Sequence, residues 1–390
     1  MDTGKDYKKC LRYIEDYWKK STFYLPKDRG VYIGMPNPFV SANGTRFHND
    51  QFYWDSYFII LGLVESGKIR LAKGMVDNFI YLFEKFGRIP SRNRYYNLGI
   101  SQLPFLTSMI MEIFSKTKDK KWLRKAVKTA EKELKNYWMN KDEVSGEIHL
   151  VYRGLSRYCD HYVTHHTSEY ESGWDITSRF NDHCLDYLPV DLNSCLYKYE
   201  RDIAEIYHIT GSRTKQRNYL GRADKRRKTV NKLMWNKKKG FFFDYDYKKK
   251  KQSNFYSVAG FYPLWANLAS KEQAERVREN LRKFEYKGGL ANTQKTGLSK
   301  EFKQHDYPNG WANQQWIVIR GLLNYGFEED AKRLATKWLE MNRKVFLRTG
   351  KFWEKYNVVK CDVGKEGRYP NQTGFGWTNG VFVKLISEFF

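Results

Sequence analysis

The chain has 390 residues, 41% of them hydrophobic and 17% aromatic, enough for a large buried core and unlike the composition of disordered proteins. Its longest apolar run, Phe58 to Val64, is far short of the ~20 residues of a membrane-spanning helix, and the charge-studded N-terminal segment MDTGKDYKKCLRYIEDYWKK lacks a secretory pattern, so a cytoplasmic protein without membrane association is expected. Lys and Arg total 69 against 44 Asp and Glu, a net charge of +25, but runs such as Lys248 to Lys251 and Arg226 to Lys228 read as solvated faces, and no specific nucleic-acid partner is expected.

In chain order, apolar stripes at helical spacing predict helices near residues 5–20, where Leu11, Ile14 and Trp18 share a face, then 52–66, 70–87, 101–117, 120–139, 190–210, 213–235, 254–267, 271–285, 309–325, 327–345 and 376–390. Short turns at Ser66-Gly67-Lys68, Thr210-Gly211-Ser212 and Tyr325-Gly326 join neighbours into antiparallel hairpins, six in all. Six hairpins can close into a ring that buries apolar faces between an inner and an outer layer, so the expected fold is all-α, an (α/α)6 toroid forming one domain over residues 1–390. The stretch WNKKKGFFFDYDY, 235–247, reads as a short strand pair around Lys239-Gly240. The five cysteines, Cys10, Cys159, Cys184, Cys195 and Cys361, are scattered without a CxxC pair, as reduced thiols are.

Five connections, 36–54, 88–102, 157–180, 301–312 and 346–378, combine Gly, aromatic, amide and acidic residues, the mixture expected where a rigid scaffold presents its chemistry. Two carboxylates follow tryptophans in such segments, Asp175 in ESGWDITSRF and Glu354 in GKFWEKYN. A carboxyl against an indole is partly desolvated and can hold a proton at neutral pH, while a second, ionised carboxylate activates water, which is the pairing of glycoside hydrolysis. The same dipeptides also suit plain packing beside a surface charge. Asp55, in RFHNDQFYWDSYF, reads either as a site acid or as a helix cap, and Arg46 either as a donor to sugar hydroxyls or as a partner of Asp50. His161, His165 and His166 cluster, the first two at helical spacing, but without HExxH or paired cysteines they point to a solvated loop, and no metal is expected. No phosphate-binding loop, dinucleotide fingerprint or GxSxG elbow is present, so no organic cofactor is expected.

Taken together and in order, NGTRFHNDQFYWDSYFIILGL, GRIPSRNRYYNLGISQLP, ESGWDITSRF, HDYPNGWANQQW, EKYN and GFGWTNGV resemble the trehalase family of glycoside hydrolases along most of the chain. The resemblance implies an α/α toroid and inverting hydrolysis of an α-linked glucose disaccharide, without cofactor or metal. It makes Asp175 the general acid and Glu354 the base. Arg46, Trp54, Asp55, Asn93 and Gln102 fall on sugar-binding motifs, and Trp174, Trp311 and Trp377 on aromatic ones. Departures from the family pattern are Ile100 in place of an arginine, a shortened segment between Arg157 and Asp175, His305 in place of a tryptophan, and Arg368 in place of a lid glutamate. Arg368 suits a carboxylate or phosphate, which opens a second reading, a hydrolase of an anionic glycoside such as glucosylglycerate or mannosylglycerate. A third reading is a sugar- or polyanion-binding protein that has lost activity.

Overall fold

The computed structural model describes residues 3–140, 146–295, 302–367 and 369–390. Its helices are α1 (Thr3–Ser21), α2 (Tyr53–Glu65), α3 (Ile69–Phe86), α4 (Leu106–Thr117), α5 (Lys120–Glu133), α6 (His165–Tyr170), α7 (Val190–Thr210), α8 (Arg213–Met234), α9 (Tyr262–Trp265), α10 (Lys271–Glu279), α11 (Ala312–Asn324), α12 (Glu328–Thr349) and α13 (Gly376–Phe389). Each of α2, α4, α7, α9, α11 and α13 contacts the next, and α13 returns to α2, which closes an inner ring of six. Helices α1, α3, α5, α8 and α12 pack outside it, and α10 packs on the strand Phe241–Phe242. The chain is therefore an (α/α)6 toroid.

The two layers differ in composition for a physical reason. Helix α2 is buried continuously from Tyr53 to Val64, as an inner helix touched on all sides must be, and it is apolar nearly all round. Helix α5 buries one stripe that includes Trp122, Leu123, Ala126, Val127 and Ala130 and turns its lysines outward. Ring closure depends on a backbone-to-backbone approach: a Cβ placed on Gly62 of α2 would lie 2.4 Å from the Cα of Gly380 in α13. Only glycine at both positions lets these helices sit so close.

Some elements depart from the periodicity. The predicted helix at 254–267 is reduced to a 3-10 turn, Val258–Phe261, and the single turn α9. Gly260 packs with its Cα against the Phe241 ring and Pro263 cannot donate, so this segment gains more from aromatic packing than from helix hydrogen bonds. Helix α4 begins at Leu106 because Pro104 disfavours helical backbone at Leu103. Helix α11 is preceded by a strand, Asn309–Trp311, which pairs antiparallel with Lys355–Asn357, and this strand pairs in turn with Asp362–Val363. The expected strand pair is present, with Trp235 opposite Phe242 and Asn236 opposite Phe241. Arg226 is not on a solvated face: it is buried and paired with Glu200 at 3.0 Å. All five cysteines are free thiols.

Candidate active site

The long connections converge on a cavity of about 470 Å³, within the size range of small-molecule sites. Arg46 comes from the connection into α2, Trp54 and Asp55 from the first turn of α2, and Gln102 from the segment before α4. Asp175 follows α6, Glu354 directly precedes the strand Lys355–Asn357, and Trp377 opens α13. All seven line this one cavity.

Four carboxyls line it: Asp55, Asp160, Asp175 and Glu354. Asp55 is 4% exposed, and burial first, then the charges of Glu354 and Asp175, push its carboxyl well above the ordinary range. It is not a helix cap, since the cap position belongs to Phe52. Asp175 stands in the left-handed region at φ 55°, directly after the turn at Gly173 and Trp174. Its Oδ2 accepts a hydrogen bond from Gln304 Nε2 at 2.8 Å. Gly173 cannot be replaced without disturbance, because its φ is 70° and a Cβ there would lie 2.5 Å from the Trp54 ring. The unusual backbone thus serves to turn the Asp175 carboxyl toward the cavity while Gly173 abuts Trp54.

Glu354 has no exposed surface. Lys355 Nζ lies 2.7 Å from its Oε2, and the Tyr369 hydroxyl donates to its Oε1 at 2.7 Å. Its main chain is pinned as well: its N–H donates to the Gln372 carbonyl at 2.9 Å, and its own carbonyl accepts from Trp377 Nε1 at 3.2 Å. Lys355 itself is buried between the rings of Trp311, 5.0 Å away, and Tyr369, 5.1 Å away. Burial and this ammonium hold the His305 imidazole well below its ordinary range, so His305 is a neutral ring stacked on Trp311 at 3.9 Å. Arg46 is exposed, with its guanidinium 5.2 Å from the centre of the Tyr369 ring.

Three residues assigned to the site by motif lie behind its wall. Asn93 is fully buried with its amide committed to main chain: Oδ1 accepts from Gln51 N–H at 2.7 Å, and Nδ2 donates to the Ile33 and Asn49 carbonyls. Trp174 is buried between His305 and the Arg179 guanidinium. Trp311 donates from Nε1 to the Gln304 carbonyl, and so supports the residue that holds Asp175. Arg368 lies outside the described residues. Asp50 pairs with Arg94 at 2.5 and 2.6 Å rather than with Arg46. His161 lines the cavity from an irregular segment, whereas His165 and His166 begin α6, so no shared helical face exists. Among the described residues no group of three His, Cys, Asp or Glu could hold a metal ion.

Motif reading missed Arg92, Gln304, Lys355 and Tyr369. Lys355 was within reach, since it adjoins Glu354 in the sequence. Gln304 and Tyr369 meet the acids only through folding, and Arg92 reaches the cavity wall in the same way.

The trehalase family profile matches residues 5–170 and 152–389. Cytosolic neutral trehalase of Beauveria bassiana is 35% identical over 434 residues, which cover 89% of this chain and 58% of that protein, so the chain spans somewhat over half of that relative. Periplasmic trehalase of Pseudomonas aeruginosa is 32% identical over 96% of this chain and 75% of its own length. Among solved structures, neutral trehalase Nth1 of Saccharomyces cerevisiae superposes with a TM-score of 0.80 at 30% identity, covering 95% of this chain and 76% of that one. A GH63 mannosylglycerate hydrolase of Thermus thermophilus gives 0.72 at 16% identity over 96% and 99% of the two chains, a likeness of fold.

Proposed function

The chain belongs to the trehalase family of glycoside hydrolases, and from that premise we propose that it hydrolyses α,α-trehalose to two glucose molecules in a single inverting displacement. The observation that carries the reading is the convergence of Asp175 and Glu354 on one cavity from positions far apart in the chain. Asp175 gives its carboxyl proton to the glycosidic oxygen as the bond from that oxygen to the anomeric carbon breaks. Glu354 takes a proton from a water molecule whose oxygen bonds the same carbon from the opposite face, a geometry that calls for the two carboxyls to stand about 6.5–9.5 Å apart. The cycle leaves Asp175 ionised and Glu354 protonated, and exchange with solvent restores both.

The surroundings of Glu354 suit a base. Lys355 balances its charge, and with one donor on each oxygen a lone pair on the carboxylate remains for water. Asp55, whose environment favours the neutral carboxyl, suits a hydrogen bond to a hydroxyl of the sugar held between the acids.

Following trehalose hydrolysis by NMR tests the reading. Inversion releases one α-glucose and one β-glucose per turnover before mutarotation, whereas two α-glucose molecules, or none at all, would overturn it. The anionic-glycoside reading is tested in parallel with glucosylglycerate, and sugar binding without glucose release would support the inactive one. The proposal also takes residues 1–390 as one catalytic domain, supported by ring closure through α2 and α13, and places it in the cytoplasm, supported by the five free thiols. No helix among the described residues is long and apolar enough to cross a membrane.

A further inference from the structure

One wall of the cavity is built from three chain segments bonded side by side. The Ser91 N–H donates to the Ile100 carbonyl at 2.8 Å, and the His161 N–H donates to the Gly99 carbonyl at 3.0 Å. Arg92 therefore stands on one side of Ile100 and Asp160 on the other, and all three line the cavity.

The two polar side chains are braced and still have capacity to spare. Arg92 makes one short hydrogen bond, from Nε to Asn97 Oδ1 at 2.8 Å, while its Nη groups reach Asp50 and the Tyr96 hydroxyl only at 3.4 Å. The guanidinium also lies 5.2 Å from the Phe52 ring centre, so its plane is held while most of its donors remain available. Asp160 is 1% exposed, and its Oδ1 accepts from Thr167 Oγ1, Ser168 Oγ and the Val163 N–H. Its Oδ2 takes none of these bonds. A carboxylate oxygen on a cavity wall, with its twin saturated by three donors, is built to accept from a ligand.

A donor and an acceptor flanking an aliphatic side chain match a pyranose ring, with its carbon face on Ile100 and its edge hydroxyls on Arg92 and Asp160. The exposure gradient says which ring. Glu354 and Asp55 are 0% and 4% exposed, whereas Arg92 is only half-buried and two further lining residues of this wall, Tyr96 and Tyr162, are 53% and 66% exposed, so the wall runs out to the mouth although Asp160 itself is buried. The anomeric carbon must reach the acids, so the outer wall receives the group that departs. We infer that Arg92 and Asp160 bind the leaving sugar and set the preference for a polyhydroxylated leaving group. This rests on the hydrolytic reading above and names two residues that it does not use.

The test compares trehalose with α-glucosyl fluoride, whose leaving group has no hydroxyls, for the wild type, Arg92→Gln and Asp160→Asn. The amide in Asp160→Asn keeps an acceptor for the loop donors and turns a donor toward the cavity. Expected is a loss of about 10–100-fold in kcat/KM on trehalose for each variant, the effect of one hydrogen bond to a charged group, with α-glucosyl fluoride changed less than about threefold. Circular dichroism and thermal midpoints near wild type exclude misfolding as the cause. Equal losses on both substrates, or no loss on either, overturn the inference while leaving the hydrolase reading intact. A wild type inert toward both substrates overturns the two together.

Discussion

Glu133 and Asp55 are both carboxyls sunk almost completely in protein, and burial raises both, Glu133 to about 7 and Asp55 well above its ordinary range. Their surroundings part there. Glu133 sits between the layers of the ring and accepts from the Tyr53 hydroxyl at 2.9 Å, the Tyr199 hydroxyl at 2.5 Å and Trp138 Nε1 at 3.2 Å, so its oxygens are spent on the scaffold. Asp55 opens on the cavity and has the charges of Glu354 and Asp175 as neighbours. A raised carboxyl is therefore not by itself a sign of chemistry. Spare hydrogen-bonding capacity and like charges gathered around one void are what separate the site from the core.

The contrast is open to direct attack. Asp175→Asn and Glu354→Gln are expected to lower kcat on trehalose by about 10²–10⁴-fold each, with glucose affinity close to wild type, because each group acts chiefly in the transition state. Steady-state kinetics with calorimetric titration of glucose checks this. Lys355→Met removes the counter-charge of Glu354. The buried carboxylate then loses one of its two donors and its counter-charge, so kcat/KM on trehalose is expected to fall about tenfold or more. An unchanged kcat/KM would deny Lys355 its part.

Gly173→Ala tests the strained turn. Its left-handed φ and the Trp54 ring should together cost about 1–3 kcal/mol, with a loss of rate as Asp175 shifts, read by denaturant unfolding and kinetics. Gly62→Ala, at the α2–α13 contact, should cost about 1–3 kcal/mol in stability while leaving kcat within about threefold.

Glu133→Gln gives the smallest effect and belongs to the core side of the comparison. Wild-type Glu133 keeps its proton in the folded state up to about pH 7, while the unfolded chain releases it near 4.5. Its contribution to stability is thus fully present below about 4.5 and is lost as pH rises through about 7. Glutamine does not titrate, so the variant should show a flatter fall of thermal midpoint between about pH 5 and pH 8, a difference of roughly a few degrees, with unchanged activity.

Much of this was written along the chain. The apolar run 57–64 marks an inner helix, and one-sided stripes such as that of 120–133 mark an outer one, because the number of faces a helix buries is printed in its residue types. The two Trp-acid dipeptides and the ordered motifs named Asp175 and Glu354 as candidates without any geometry. What periodicity misjudged was local competition: Gly260 and Pro263 reduce a predicted helix to one turn, and Pro104 delays the start of α4.

Other facts belong to the tertiary structure alone. Asn93, Trp174 and Trp311 sit on motif positions, yet their side chains support the wall from behind, since a motif specifies a residue type and not the direction in which it points. Gln304 reaches Asp175 across 129 residues, and Asp160 flanks Ile100 only because His161 bonds to Gly99. Hydrogen bonds act over about 3 Å of space whatever the separation in sequence, so the partners of each acid could not be known until the ring had closed around them.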